Sequence, residues 1–321
     1  MGNKIALVVG IDHYENSQSL YGCCNDALAI KDVLEKNEDG KKNFEVGLRL
    51  AKTGTYPNRI RRSSLMNLVQ KLFKEPAEIA LFYFSGHGYV TNTGGYLLSS
   101  ECKHGDDGLS MSELLGLANA SPAQNKVIIL DCCHSGYMGK TIHTHHHSLL
   151  TEGMTILTAS GEDQYAAEVN NSGVFTNLLV DALRGSAANL TGQITPGSVY
   201  AHIDQSLGWL QQRPIFKTNI SRFVTLREVT PPIHIEELRK ITELFTSKTE
   251  DFKLGPEYEP TYEFAEQDKV EKFAILQKYN RLNLVVPFPE EHMYFAAMNR
   301  KYCRLTLLGQ HYWELVKRNK I

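Results

Sequence analysis

The chain has 321 residues and a formal net charge of −2, with 34 Lys and Arg against 36 Asp and Glu. Apolar residues make up 42% and charged residues 22%, which excludes a disordered, collagenous or fibrous chain. Near-neutral charge argues against non-specific nucleic-acid or membrane binding by the whole molecule, and at about 150 residues per domain the length implies two domains. Ile5 to Ile11 is apolar but runs straight into Asp12, too short for a signal core. No stretch reaches the roughly 18 apolar residues of a membrane span. Gly2 would suit myristoylation, but Ala6 stands where Ser or Thr is needed. A soluble cytoplasmic protein without membrane association is expected. The six cysteines (23, 24, 102, 132, 133, 303) are too sparse for a disulfide scaffold and lack CxxC metal spacing. Buried thiols or one reactive thiol is the better reading.

In chain order, Ile5–Val9 is a buried-strand run ending at Gly10. Asn25–Glu35 is a helix, Phe44–Leu50 a strand, and Arg59–Phe73 a helix with Leu65, Leu68, Val69, Leu72 and Phe73 on one face. Ile79–Phe84 is a second buried strand, followed by Ser85-Gly86-His87-Gly88. Gly95–Leu98 is an accessory strand and Met111–Ala118 a short helix. Val127–Leu130 is a third buried strand, followed by Asp131-Cys132-Cys133-His134-Ser135-Gly136. Met154–Ala159 is a fourth. Val174–Leu183 is a helix, and Thr195 with Pro196 opens another. Arg213–Lys217 can form a last edge strand. Strands apolar on both faces and interleaved with helices imply an α/β fold, a mostly parallel sheet with helices on both faces. Ligands in such sheets sit at the carboxyl ends of the strands, where both glycine-flanked motifs fall.

Thr230-Pro231-Pro232 punctuates the chain, and the boundary is set at residues 1–228 and 229–321. Beyond it, helices are expected around Ile235–Phe245, Lys269–Asn280 and Glu290–Met298. Thr249–Glu263 reads as a loop, and Leu284–Val286 and Cys303–Leu305 as extended. Thr306 caps a last helix. The second part is a small α+β, winged-helix-like domain. Residues 229–321 hold 14 basic and 14 acidic residues, so it has no domain-wide basic footprint. A protein partner through residues 235–321 is favoured over DNA, despite six basic residues against Glu314 between positions 300 and 320.

A thiol and a histidine at neighbouring strand ends can form a Cys–His dyad, the thiolate as nucleophile and the imidazole as base. The N–H groups of Gly88 and Cys133 are the candidates for binding the developing oxyanion. The tract His143–His147 lacks the companions of a structural zinc site and reads as an exposed loop.

Phe84-Ser85-Gly86-His87-Gly88 and Asp131-Cys132-Cys133-His134-Ser135-Gly136 resemble the two hallmark motifs of caspase-like peptidases. The second is similar to metacaspases and their bacterial relatives. Ala6–Asp12, Leu20–Ala27, Thr158-Ala159-Ser160 and Gly173–Thr176 extend the resemblance over about residues 4–225. His87 and Cys133 lie 46 residues apart, close to the spacing noted for caspases, although the usual caspase signature around the cysteine is absent. The resemblance implies a cysteine endopeptidase with Cys133 as nucleophile and His87 as base, whose substrate-binding residues are Asp26 and Asp131, with Ser85 alongside. Two acids favour a guanidinium or ammonium group, hence a peptide or protein substrate cut after Arg or Lys. It also implies an effector of bacterial stress or defence systems carrying an appended recognition module. No cofactor is expected. Gly108-Leu109-Ser110-Met111-Ser112-Glu113 precedes Leu114 where eukaryotic metacaspases often carry an acidic calcium cluster, and Asp106 and Asp107 do not clearly align with it, so calcium dependence is not expected. The alternative is a caspase-like adaptor acting through its winged-helix-like part, which would need neither the dyad nor the acids.

Overall fold

The structure, a computed structural model, describes residues 2–54, 58–92, 94–132, 149–159, 168–169, 172–207, 213–221 and 224–321. The chain divides into two compact units, Met1–Thr230 and Pro231–Ile321. Among the described residues no helix is long and apolar enough to cross a membrane.

The first unit is built on strands β1 (Lys4–Ile11), β2 (Glu45–Ala51), β3 (Ile79–Ser85), β7 (Asn125–Asp131), β8 (Met154–Thr158) and β12 (Ile215–Asn219), in the order β12-β8-β7-β3-β1-β2. All neighbours are parallel except β12, which runs antiparallel to β8 at the edge. A smaller antiparallel sheet joins β4 (Gly88–Thr91), β5 (Gly94–Leu97) and β6 (Leu109–Ser110). Along each central strand, alternate side chains enter different cores. Leu7, Val9 and Ile11, with Ala80, Phe82 and Phe84, pack against helices α2 (Arg62–Lys74) and α3 (Met111–Asn119). Ala6 and Val8, with Ile79, Leu81 and Tyr83, pack against α1 (Cys23–Glu35), α4 (Val174–Asp181) and α5 (Pro196–Ser206). Burial on both faces makes these strands read as continuous apolar runs. The expected α/β architecture is the one observed. The expected cap of α5 is present, with Ser198 N–H donating to Thr195 Oγ1 at 3.2 Å. Helix α4 ends earlier than its apolar pattern suggests. It widens into a π turn over Ala182–Ser186, where Gly185 takes a φ of +138° that breaks the helix.

In the second unit, β14 (Asp251–Lys253), β15 (Val285–Phe288) and β16 (Tyr302–Leu305) form an antiparallel sheet with β16 in the centre. The helices are α6 (Ile235–Arg239), α7 (Ile241–Leu244), α8 (Gln267–Arg281), α9 (Met293–Met298) and α10 (Leu307–Lys317). Strand β14 lies inside the stretch expected to be a loop. Its three residues are too few to display alternation. Its formation depends on pairing with β16 and on Phe252, whose ring lies 5.9 Å from that of Phe245 and 5.8 Å from that of Tyr258. Thr306 caps α10 as expected, accepting from Gly309 N–H at 3.0 Å. Trp313 Nε1 donates to the Phe245 carbonyl at 2.7 Å, tying the last helix to the first pair.

The register of the central sheet prepares the site. Gly10 on β1, Ser85 on β3 and Asp131 on β7 are direct neighbours in one row at the carboxyl ends. A Cβ on Gly10 would stand 2.3 Å from the Cys23 carbonyl oxygen and 2.8 Å from Ala27 Cβ, so only glycine lets α1 begin against this row. The first turn of α1 has no cap from its own N-cap residue, Gly22. The cap comes from β1: buried Asp12 accepts from Cys23 N–H at 2.9 Å and from Cys24 N–H at 3.4 Å through Oδ1. A side chain from a strand end thus fixes the start of the helix that carries Asp26. Asp12→Ala should lower stability by about 1–2 kcal/mol, the range for loss of a helix cap. Asp12→Asn keeps an acceptor oxygen and should lose less. Urea titrations followed by circular dichroism read both, and equal losses would refute the capping role.

Candidate active site

Asp26, Ser85 and Asp131 meet at the carboxyl edge on the α1 and α4 side of the sheet. All three are buried. Ser85 Oγ donates to Asp26 Oδ2 at 3.3 Å. The Gly173 N–H, at the start of α4, donates to both oxygens of Asp26 at 3.2 and 3.1 Å. A Cβ on Gly173 would lie 2.4 Å from Asp131 Oδ2 and 3.3 Å from Asp26 Oδ2. The two carboxylates therefore both lie against one glycine. Asp131 is held by Thr176, whose hydroxyl donates to Oδ2 at 2.6 Å. Tyr83 OH lies 2.6 Å from the same hydroxyl oxygen. Burial, and secondarily the negative charge of Asp12, Asp131 and Asp26, push the neighbouring Cys23 thiol far up, so Cys23 stays a protonated thiol.

His87 lies in the turn between β3 and β4, half-buried. Two elements hold it. Its Nε2 is 2.7 Å from the Gln18 carbonyl oxygen. A carbonyl only accepts, so Nε2 carries the hydrogen and Nδ1 is left as the basic nitrogen of the neutral ring. Its backbone N–H donates to Tyr14 OH at 2.7 Å, and the two rings stand 4.6 Å apart, tilted by 51°. A Cβ on Gly86 would come within 2.6 Å of the same Tyr14 oxygen, which accounts for the glycine before the histidine. The loop that supplies Tyr14 and Gln18 is itself fixed: Leu20 N–H donates to the Asp12 carbonyl at 2.9 Å and Glu15 N–H to the Ser100 carbonyl at 2.8 Å. Gly88 opens β4 opposite Leu97.

Cys133 and the tract His143–His147 lie outside the described residues. Cys132, immediately after β7, is buried in the core on the α2 and α3 side, as a hydrophobic neighbour should be. Among the described residues no group of three or more His, Cys, Asp or Glu is placed to hold a metal ion. Sequence reasoning missed Tyr14, Gln18 and Tyr83 as parts of the site. Gln18 acts through its backbone, which carries no residue signal. Tyr14 and Tyr83 read as core aromatics, and only contacts distant in sequence reveal their hydroxyls.

An imidazole and a buried acid pair thus stand at one edge of a parallel sheet, and comparison with known proteins identifies the class. A caspase domain is matched over residues 3–224, and the chain belongs to this family of cysteine-type peptidases. Metacaspase-3 of Trypanosoma brucei brucei is 21% identical over 281 residues, covering 75% of each chain. Metacaspase-2 of the same organism (strain 927/4 GUTat10.1) is 23% identical over 206 residues, 53% of this chain and 57% of the relative. Metacaspase-1 of Plasmodium falciparum (isolate 3D7) is 36% identical over 91 residues, 26% of this chain but 14% of the relative. The chain thus spans three quarters of the first relative and a little over half of the second. Among solved structures, caspase-1 from Spodoptera frugiperda superposes with a TM-score of 0.51 at 14% identity, over 71% of this chain and 91% of its own. A Geobacter sulfurreducens protein gives 0.50 at 16%, over 71% and 100%. These two likenesses concern the fold.

Gly173 has φ −67° and ψ 132°, an ordinary extended conformation for any residue. Gly173→Ala therefore tests space rather than backbone strain. Overpacking of this kind costs about 1–3 kcal/mol, so a lower melting temperature is expected, and an unchanged one would show that the acids have room to move.

Proposed function

We propose that the protein is a cysteine endopeptidase that cuts after Arg, with Lys second. The observation that carries this reading is the pair of buried carboxylates, Asp26 and Asp131, brought together against Gly173 on the sheet edge that also bears His87. In this reading the Cys133 thiol gives its proton to His87 Nδ1, and the thiolate attacks the carbonyl carbon of the scissile bond. The N–H groups of Gly88 and Cys133 bind the oxyanion of the tetrahedral intermediate. The imidazolium then protonates the leaving amine, and water, deprotonated by the same imidazole, releases the acyl group from Cys133. A substrate guanidinium offers a planar fork that can hydrogen-bond both acids, whereas an ammonium is a point charge. A substrate Asp would add a third negative charge and be rejected.

The reading requires no calcium. Before α3, Asp107 accepts from Lys103 N–H at 3.1 Å and His104 N–H at 3.0 Å, a local capping role. A cytoplasmic location fits the reduced, buried thiols of Cys23, Cys24, Cys102, Cys132 and Cys303. Residues 229–321 are read as a winged-helix-like module that recruits a protein partner for a bacterial stress or defence effector. A strand order with the last strand central supports the module, although the connection between β15 and β16 carries helix α9 rather than a bare hairpin wing. Tight, salt-sensitive DNA binding by the full chain would replace the protein partner with DNA.

Fluorogenic peptides that differ only in the residue before the cut, assayed with a calcium chelator present, test the enzyme reading. Cys133→Ala and His87→Ala should each reduce turnover by several orders of magnitude while the circular dichroism spectrum is kept. Near-wild-type turnover in Cys133→Ala would overturn the assignment, and loss of wild-type activity on chelation would overturn calcium independence. Asp26→Ala should cost on the order of 3 kcal/mol of transition-state binding for an Arg peptide, roughly a hundredfold, by analogy with opening a buried charge pair. A preference for Asp, or unchanged Arg turnover in Asp26→Ala, would refute the specificity.

A further inference from the structure

Asp131 is met by a hydroxyl from a different layer of the fold. Thr176, in the first turn of α4, donates to Asp131 Oδ2 at 2.6 Å, and Tyr83 OH on β3 lies 2.6 Å from Thr176 Oγ1. A threonine hydroxyl owns one hydrogen. Because it points to the carboxylate, Tyr83 must be the donor to Thr176. The direction of the chain is therefore Tyr83 to Thr176 to Asp131, across β3, α4 and β7. Tyr83 is 0% and Thr176 1% exposed, so bulk water does not compete for these bonds. Burial first, then the charges of Asp131 and Asp26, push the Tyr83 phenol well above its ordinary range, which keeps it a donor.

Packing alone does not demand these hydroxyls. Phe at 83 and Val at 176 would fill nearly the same volume and bury no polar atom. A hydroxyl buried without a partner costs free energy, so the pair is tolerated because it ends on an acceptor. That acceptor is one of two like charges beside Gly173. Asp26 has its own donors in Gly173 N–H and Ser85 Oγ. Donors to the charged form are what keep neighbouring buried carboxylates ionised.

We propose that Thr176, backed by Tyr83, is a specificity-determining positioning residue that holds Asp131 charged and aimed at the basic side chain preceding the scissile bond. This rests on the reading of Asp26 and Asp131 as the substrate's cation site. Without the Thr176 hydroxyl, Asp131 would lose the donor that aims its Oδ2, beside Asp26 and Cys23 from α1 and Tyr83 from β3. Its carboxylate would turn to another donor or take up a proton, and the site would lose its grip on the guanidinium.

Thr176→Val, Thr176→Ser and Tyr83→Phe test the proposal in the full chain with peptides bearing Arg, Lys or Gln before the cut. Hydrogen bonds to charged groups correspond to about a tenfold to hundredfold change. Thr176→Val should lower kcat/KM for the Arg peptide by that much, chiefly through KM, and lower the Arg-to-Gln ratio with it. Thr176→Ser keeps the hydroxyl and should restore most of both, and Tyr83→Phe should fall between. Alkylation of Cys133 by iodoacetamide reads the dyad separately and should proceed in Thr176→Val as in the wild type. Equal losses for Arg and Gln with slowed alkylation would show a general structural role and overturn the proposal. An unchanged Arg-to-Gln ratio in Thr176→Val, with a wild type that prefers Arg, would overturn the relay and leave the cation site standing. A wild type without preference for a basic residue would overturn both.

Discussion

Two carboxylates buried near one glycine are the constraint from which much of this edge of the molecule follows. Like charges in a region of low dielectric repel, and each loses its hydration. They persist because backbone and hydroxyl donors face them: Gly173 N–H and Ser85 Oγ at Asp26, Thr176 Oγ1 at Asp131. Each donor constrains a further residue. Position 173 must lack a side chain, because a Cβ would occupy the space of the Asp131 carboxylate. Position 176 carries a hydroxyl that in turn receives one from Tyr83.

The sheet makes that convergence inexpensive in backbone terms. Parallel register places Gly10, Ser85 and Asp131 in one row, so acid and hydroxyl arrive from adjacent strands without special loops. The bare surface at Gly10 admits the start of α1, and Asp12 caps that start from the end of the same strand. Apolar layers on both faces hold the strands. Asp26, Ser85, Asp131 and His87 gather at the carboxyl edge, where the strand order reverses around β1.

The histidine is supported by different means. His87 is fixed through its own backbone by Tyr14 and through its ring by the Gln18 carbonyl, both from the loop after β1. One contact sets where the residue sits and the other sets which nitrogen is basic. In the proposed reaction such support would limit reorganisation as His87 takes up a proton. His87 follows β3 and Asp131 ends the adjacent β7, so both lie at the carboxyl edge of the sheet, which Asp26 reaches from α1.

The amino-acid sequence by itself determined the layered α/β architecture, because strands buried on both faces must be continuous apolar runs and amphipathic helices must repeat at 3.6 residues. It also placed Ser85, His87 and Asp131 at strand ends, since glycine-flanked polar motifs interrupt those runs, and the family resemblance added Asp26. The caps by Thr195 and Thr306 were equally legible, being local in sequence. Tertiary structure alone decided what depends on contacts between distant segments. Strand β14 forms on three residues because β16 pairs with it. Asp12 becomes the cap of α1, Tyr14 and Gln18 hold His87, and Tyr83 acts through Thr176, although each of the tyrosines reads locally as an ordinary core aromatic. A hydroxyl's partner, a carbonyl's direction and the space around a glycine are set by the packing of segments far apart in the chain, and no periodicity or spacing encodes them.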